Sequence, residues 1–467
     1  MKFIMNDIRP WEWNPLWVLM EIYEGLFLIS EMQEISMGDR VKAVEGRMKL
    51  IPKVLDNSRE MMILYSSQHL SYGNLVIDNI INIIDDIPLK LNSDNLTLDE
   101  IDISINKSKK SLLDYRKWLN QKYARMTPIQ FPVDLKFIDN AFSHFVGKKY
   151  ISKNVYRLAE KKHIPIQDQL FELSLPIYLN ENDEPVWLDR DDTLEVIHWT
   201  IDYIRNKPEN QVPMSGILSH FYESISNIEK FIFSKGVIPK NIQKRIKLLL
   251  SSEYVFSSDF VSLFGQYPNK FNSEIIYYVK NDENIGDLFP LISQEIDIVN
   301  AQNINPGKMI QLAYAQKNYS PIRYMFTDPI NDAGWKNYAV NLLLDEGYGK
   351  FDQSYRILLL KEELMIICRG IVEGEYYSGT MSRKDAISYL RKEGFVNNSE
   401  AENLMIKSEL NYFSGTQAFI GMMEMASLKK EYEINAGDNF NLFNFHQEIL
   451  RHGVIPFYQL KKEVLAL

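Results

Sequence analysis

With 467 residues, 45% of them hydrophobic and 24% charged, the chain has globular composition and ample material for a large core, which excludes fibrous, collagenous and wholly disordered classes. The 62 acidic and 52 basic side chains leave a formal charge of −10, so no protein-wide positive field exists to neutralise a phosphate backbone and nucleic acid is not expected as a partner. A single cysteine, Cys368, cannot close an intramolecular disulfide, and a reducing cytoplasm is the expected location.

The N-terminal stretch places Asp7, Arg9 and two prolines where a signal peptide needs an unbroken apolar run of about 7 to 15 residues, so no secretion signal is expected. Leu16 to Ile29 carries Glu21, Glu24 and Gly25 and falls short of the roughly 20 uncharged residues that span a bilayer; it reads as a buried or amphipathic helix, with no membrane partner. Thr97 with Glu100, Ser382 with Asp385 and Ser399 with Glu402 have the spacing of capping boxes, which close exposed amide donors at helix starts. Pro176 to Leu188 is compatible with a small hairpin around Asn180 to Pro185. Ile217, Phe221, Ile225, Ile228 and Ile232 recur at spacings of three and four, one apolar stripe on a helix that ends near Gly236. Ile275 to Val279 is β-prone and bounded by Asn- and Asp-rich turns. The predicted fold class is mainly α with a few short strands.

Length alone allows about three domains, but no fixed-period repeat and no long Gly/Ser/Pro linker marks a boundary. The polar segments 180–192 and 280–286 are the softest breaks. The expected division is functional: a helical half over 1–290 and a second helical half over 291–467 that holds the unusual motifs, together one compact unit.

Seven scattered histidines form no H-E-x-x-H, and there is no second cysteine for a zinc knuckle. The hydrolase elbow, the P-loop and the dinucleotide fingerprint are also missing. Cys368 sits in LMIICRGIV, a setting for a buried inert thiol. His452, just before Gly453, reads as a helix C-terminal residue.

The succession NINPGKMIQLAYAQ, SPIRYMFTDPINDAGWKNYAVNLLLDEGYG, CRGIVEGEYYSGTMSRKDAISYL and FNFHQEILRHGVIPFYQL, with GRMKLIPKVLDNSREMM, LLDYRKWLNQKY, AFSHFVGKKY and ISNIEKFIFSKGVIP before it, resembles the mainly helical, bacterial metallopeptidase-like family designated domain of unknown function 885, through nearly the whole chain. The resemblance implies a helical fold with a deep cleft, in which H-E-x-x-P-G-H supplies two histidine ligands and a glutamate base and a following E-G-W supplies an acidic ligand. This chain departs at each of those points. With Pro306 and Gly307 on the motif's P-G, Gln302 and Asn303 stand where the first His and the Glu belong, and Lys308 stands where the second His belongs. Gly334 and Trp335 match the second motif, while Ala333 and Val340 replace its acids and Glu346 and Gly347 keep its helix end. Arg369 matches an expected arginine, Glu373 replaces an aspartate, Tyr377 stands where a histidine is usual, and Phe445 and His446 keep an F-H pair. Near Gln417 and Ala418 a tyrosine of the family is absent.

An amide, an ammonium and a methyl in place of three donors predict a site without zinc, with no other cofactor, in which the Lys308 charge takes the space of the metal. Without a metal to acidify water, and with Asn303 unable to act as a base, the resembled hydrolytic mechanism has neither nucleophile nor proton acceptor. One reading is a decayed cleft filled by a polar network. A second is a pseudopeptidase whose cleft, lined by Gln302, Asn303, Trp335, Tyr338, Arg369 and Tyr377, takes a peptide-like or amino-acid-like small molecule through its cations. A third is a metal-independent enzyme of a specialised biosynthetic pathway, with Lys308 as amine and Glu373 or His446 moving a proton. A fourth is a zinc peptidase with relocated ligands. Packing is the alternative role for Trp335, His446 and the aromatic set Tyr376, Tyr377, Tyr412 and Phe413. Oligomeric state is not legible.

Overall fold

The computed structural model describes residues 8–31, 35–91, 98–128, 135–182, 190–239, 245–251, 261–264, 274–280, 292–318 and 327–465. They are mainly helical, as the periodicity predicts, and fall into two compact units, Met1–Val133 with Ser251–Phe260, and Asp134–Leu250 with Val261–Leu467. These bounds do not follow a division near residue 290.

The first unit holds α1 (Leu16–Glu31), α2 (Met37–Met61), α3 (Ser67–Lys90) and α4 (Leu98–Gln121). A short parallel pair, β1 (Leu64–Tyr65) and β2 (Thr127–Pro128), aligns Leu64 with Thr127. Helix α1 packs on α2 and α3 through buried Leu19, Leu26 and Phe27 while Trp17 stays exposed, so it is the amphipathic helix expected there. Among the described residues no helix is long and apolar enough to cross a membrane. Thr97, half of an expected capping box, lies outside the described residues.

The second unit begins with α5 (Leu135–Phe145), α6 (Ser152–Glu181), α7 (Arg190–Asn206) and α8 (Ile217–Lys235). Helix α6 runs unbroken through Pro165 and Pro176, which overturns the hairpin over Pro176 to Asn180; the rest of that segment, 183–189, lies outside the described residues. An internal proline removes one helical hydrogen bond, and here packing of α6 on α7 and on the helix spanning residues 353–378, with Leu170 and Ser174 buried, outweighs that loss. On α8 all five stripe residues are buried and Gly236 closes the helix at φ +68°, a conformation that favours glycine. Strands β3 (Arg245–Ser251), β4 (Val261–Phe264) and β5 (Glu274–Lys280) form a sheet in the order β3-β5-β4, and β5 is the strand expected at Ile275 to Val279.

The remaining helices are α9 (Ser293–Asn303), α10 (Lys308–Asn318), α11 (Pro329–Asp345), α12 (Gln353–Ser378), α13 (Arg383–Glu393), α14 (Asn398–Leu410), α15 (Ser414–Ala436), α16 (Leu442–His452) and α17 (Phe457–Val464). Ser382 caps α13 as expected, its hydroxyl taking the Asp385 amide at 3.2 Å. Helix α14 starts two residues earlier than the Ser399 pattern implies. Asn397 and Glu400 form the capping box instead, with reciprocal bonds of 2.8 and 2.7 Å, because Glu400 is drawn inward to Arg205 and Lys361.

Helices α11 and α15 cross so closely that a Cβ on Gly334 would overlap the Gly421 backbone, and one on Gly421 would overlap Ile330. This crossing, together with α12 against α6 and α15, sets the frame of the site. A buried ion network braces the other side of α12: Arg205 meets Glu295 at 2.7 Å and Glu400 at 3.5 Å, and Lys361, 2% exposed, meets Glu362 at 3.1 Å.

Candidate functional site

The turn from α9 into α10 carries Gln302 to Lys308. Gly307 is required there because any Cβ would overlap the carbonyls of Ala301 and Gln302. Asn303 donates its side-chain amide back to the Val299 carbonyl at 2.9 Å, within its own helix. Gln302 is half-buried on the same turn. Buried Trp335 on α11 donates its indole N–H to the Pro306 and Gly307 carbonyls at 3.0 and 3.2 Å, locking the turn against α11.

Lys308, the first residue of α10, reaches α11 and places Nζ 3.2 Å from Asp332 Oδ2, and Lys336, one turn along α11, lies 3.4 Å from the same oxygen. Burial pushes the Asp332 carboxyl up, but the ammonium groups of Lys336 and Lys308 outweigh it and hold it below its ordinary value, so the cluster is charged. Both lysines keep about 30% of their side chains exposed. One turn further along α10, Gln311 donates Nε2 to Asn331 Oδ1 at 3.3 Å, and Asn331 donates Nδ2 to the Ile455 carbonyl at 2.6 Å.

Tyr338, one turn beyond Trp335, is 2.7 Å from His446 Nε2, and His446 Nδ1 is 2.7 Å from the Val237 carbonyl. A carbonyl only accepts, so Nδ1 carries the proton and Nε2 accepts from the tyrosine hydroxyl. His446 is fully buried; burial above all, with Lys429 adding to it, outweighs the Val237 bond and pushes the imidazole down to about 4. It is a neutral structural histidine near pH 7, joining α16, α11 and the end of α8.

Arg369, Glu373 and Tyr377 form one stripe on α12, each a turn apart, and face the start of α15. Phe413, before α15, has φ +62° and gives no side-chain cap. Glu373 supplies that function from another helix, accepting from Gly415 N at 2.9 Å, Thr416 N at 2.7 Å, Thr416 Oγ1 at 2.8 Å and Ser408 Oγ at 2.7 Å. Four donors on a buried carboxylate at a helix N-terminus describe an anchor. Arg369 donates to Ser414 Oγ at 2.9 Å, and Tyr377 donates to the Ser408 carbonyl at 2.7 Å. Tyr377, Tyr412 and Phe413 pack ring on ring with Phe142 and Phe145, the packing alternative for that set. Cys368 is fully buried and its thiol is pushed up by burial, the inert setting expected for it.

The predicted residues therefore occupy two places. Lys308, Trp335, Tyr338 and His446 belong to the α10–α11–α16 cluster, and Arg369, Glu373 and Tyr377 belong to the α12–α15 knot. Asp332, Lys336 and Gln311 were not singled out from sequence. The i,i+4 spacing of Asp332 and Lys336 was visible there, but the approach of Lys308 from another helix was not. A cavity of 270 Å³ lined by Ile138, Tyr156, Ile371, Gly374 and neighbours contains none of the expected residues. The zinc that the resembled cleft would carry does not fit the residues present: Asn303 is turned onto its own helix, and an ammonium, which has no lone pair, sits on the one carboxylate of the cluster. Among the described residues no group of three or more His, Cys, Asp or Glu could hold a metal, and relocated ligands find no support.

The fold is similar to that of two solved structures. One is described as a candidate lipoprotein of unknown function from Shewanella oneidensis, with 20% identity, a TM-score of 0.79 and coverage of 99% of this chain and 84% of that one. The other is a candidate lipoprotein from Colwellia psychrerythraea, with 14% identity, a TM-score of 0.73 and coverage of 94% and 77%. Because both are described as lipoproteins, the expected cytoplasmic location is corrected. No curated protein matches the chain. The family model of bacterial proteins of unknown function, DUF885, matches residues 2–464, so the motif succession read from the sequence is confirmed at the level of the family: the chain belongs to DUF885.

Proposed function

We propose that this chain is a metal-free pseudopeptidase, a repurposed homologue of a zinc-peptidase-like protein that binds a peptide-like or amino-acid-like ligand at the α10–α11 cluster. The observation that carries this reading is the Lys308–Asp332–Lys336 cluster, a charged pairing built at the position of the resembled metal motif and still open to solvent. Two ammonium groups side by side are a carboxylate receptor, and Asp332, shared between them, fixes their positions. The same pairing favours binding over amine chemistry, since a lysine held against a carboxylate stays protonated and is not a nucleophile. Glu373 and His446 are left out of any proton transfer, the first by its four donors and the second by full burial.

Calorimetric titration with N-acetyl-alanyl-alanine should give saturable binding that Lys308→Met weakens about tenfold, the loss of one charge-assisted hydrogen bond. Added zinc should leave the binding unchanged. A zinc-sized mass excess in the native mass spectrum of untreated protein, or hydrolysis of the peptide, overturns the reading.

A further inference from the structure

The amide of Gln311 fixes a second half of this recognition site. The Ile455 carbonyl can only accept, so the Asn331 side chain must turn its NH₂ toward it and its oxygen toward Gln311. Gln311 must then turn its own NH₂ to Asn331, which leaves Gln311 Oε1 as the free end. That oxygen is buried and has no hydrogen-bond partner among the described residues, on a residue only 2% exposed. Asn305 Oδ1, in the turn leading to Lys308, is a second buried acceptor without a partner, on a residue 3% exposed. Buried polar groups in native proteins are paired, so an acceptor fixed in this way, with no donor among the described residues, is suited to a donor brought by a ligand.

Lys308 and Gln311 are three residues apart on one face of α10, and they meet the adjacent residues Asp332 and Asn331 of α11. The ammonium pair and the amide are thus carried by neighbouring positions on the facing turns of α10 and α11. From this we infer that the ligand is a carboxylate carrying a neighbouring N–H, the arrangement of an N-acyl amino acid or the C-terminal residue of a peptide, with the carboxylate on Lys308 and Lys336 and the N–H on Gln311 Oε1. This rests on the proposed ligand-binding role of the cluster and narrows it: a plain carboxylate, or an ester with oxygen in place of the N–H, satisfies only half of the site.

The test compares N-acetyl-L-alanine with (S)-2-acetoxypropionate, which replaces the N–H by oxygen, and with N-acetyl-L-alanine methyl ester, which lacks the carboxylate, each titrated by calorimetry into the full chain. Wild type should bind the amide at least about tenfold tighter than the acetoxy acid, because the latter sets an oxygen against a buried acceptor. The methyl ester should bind weakest. Gln311→Met should bring the amide and the acetoxy acid to equal affinity while both still bind. Equal affinity of those two acids for wild type overturns this inference and leaves the carboxylate reading standing, and that comparison needs no variant to fold. Failure of every probe to bind overturns both.

Discussion

The α10–α11 cluster and the α12–α15 knot both gather residues that the sequence marks as candidates, yet they are different kinds of structure. At the knot, Glu373 takes four donors and is fully buried, so its carboxylate is spent inside the chain, while Arg369 beside it keeps one buried N–H, Nε, without a partner among the described residues. At the cluster, Lys308 and Lys336 share one carboxylate and remain partly exposed, and Gln311, one turn along α10 from Lys308, has a buried amide oxygen with no partner among the described residues. Clustered polar residues are not by themselves a sign of function. What separates the two is exposure: the Glu373 carboxylate is sealed in the chain, whereas the Lys308 and Lys336 ammonium groups are still reached by solvent.

Three experiments would break or sharpen that contrast. The largest effect is expected from Glu373→Ala, which strands two backbone amides and two hydroxyls at the start of α15; a loss of about 3 to 5 kcal/mol in urea unfolding is predicted for removing one side of a buried charged network. A loss below about 1 kcal/mol would mean that the knot is not the anchor described.

An intermediate, pH-dependent effect is expected at His446. The folded imidazole is held down to about 4 and the unfolded one titrates near 6.5, so the unfolded chain takes up the proton first. The stabilisation is whole above about 6.5 and is lost as pH falls toward 4, on the order of 3 kcal/mol for a shift of this size. His69, also buried and pushed down to about 4, adds to the acid sensitivity of the wild type. His446→Phe should be less stable at pH 7.5, with the Tyr338 and Val237 groups unpaired, and should lose less stability than wild type between pH 7 and 4.5. Parallel pH profiles for the two proteins would remove the neutral, structural assignment of this histidine.

The smallest effect on folding is expected at Lys308→Met, below about 1 kcal/mol, because partly exposed ion pairs contribute little. The same substitution is predicted to weaken ligand binding clearly. A variant that costs several kcal/mol in stability would place Lys308 with the knot, as one more structural ion.

Much of this fold was legible in the residues. The α8 stripe, its end at Gly236, the β5 strand, the Ser382 cap and the inert setting of Cys368 follow from local spacing and from apolar surroundings. Where reading failed, tertiary contacts decided: Pro176 stays helical because α6 is buried on two neighbours, and the start of α14 moved because Glu400 turned inward to Arg205 and Lys361. The location expected from one cysteine and a polar N-terminus did not survive comparison with the solved relatives.

By itself, the sequence determined the family and the helical class, because both depend on residue type and spacing along the chain. Only the tertiary structure decided that Glu373 is a cap for a distant helix, that His446 is neutral, and that Lys308 meets Asp332 and Lys336 across two helices. The reason is physical: what a polar side chain can do depends on which of its lone pairs and protons are already spent, and the groups that spend them come from segments far away in the chain.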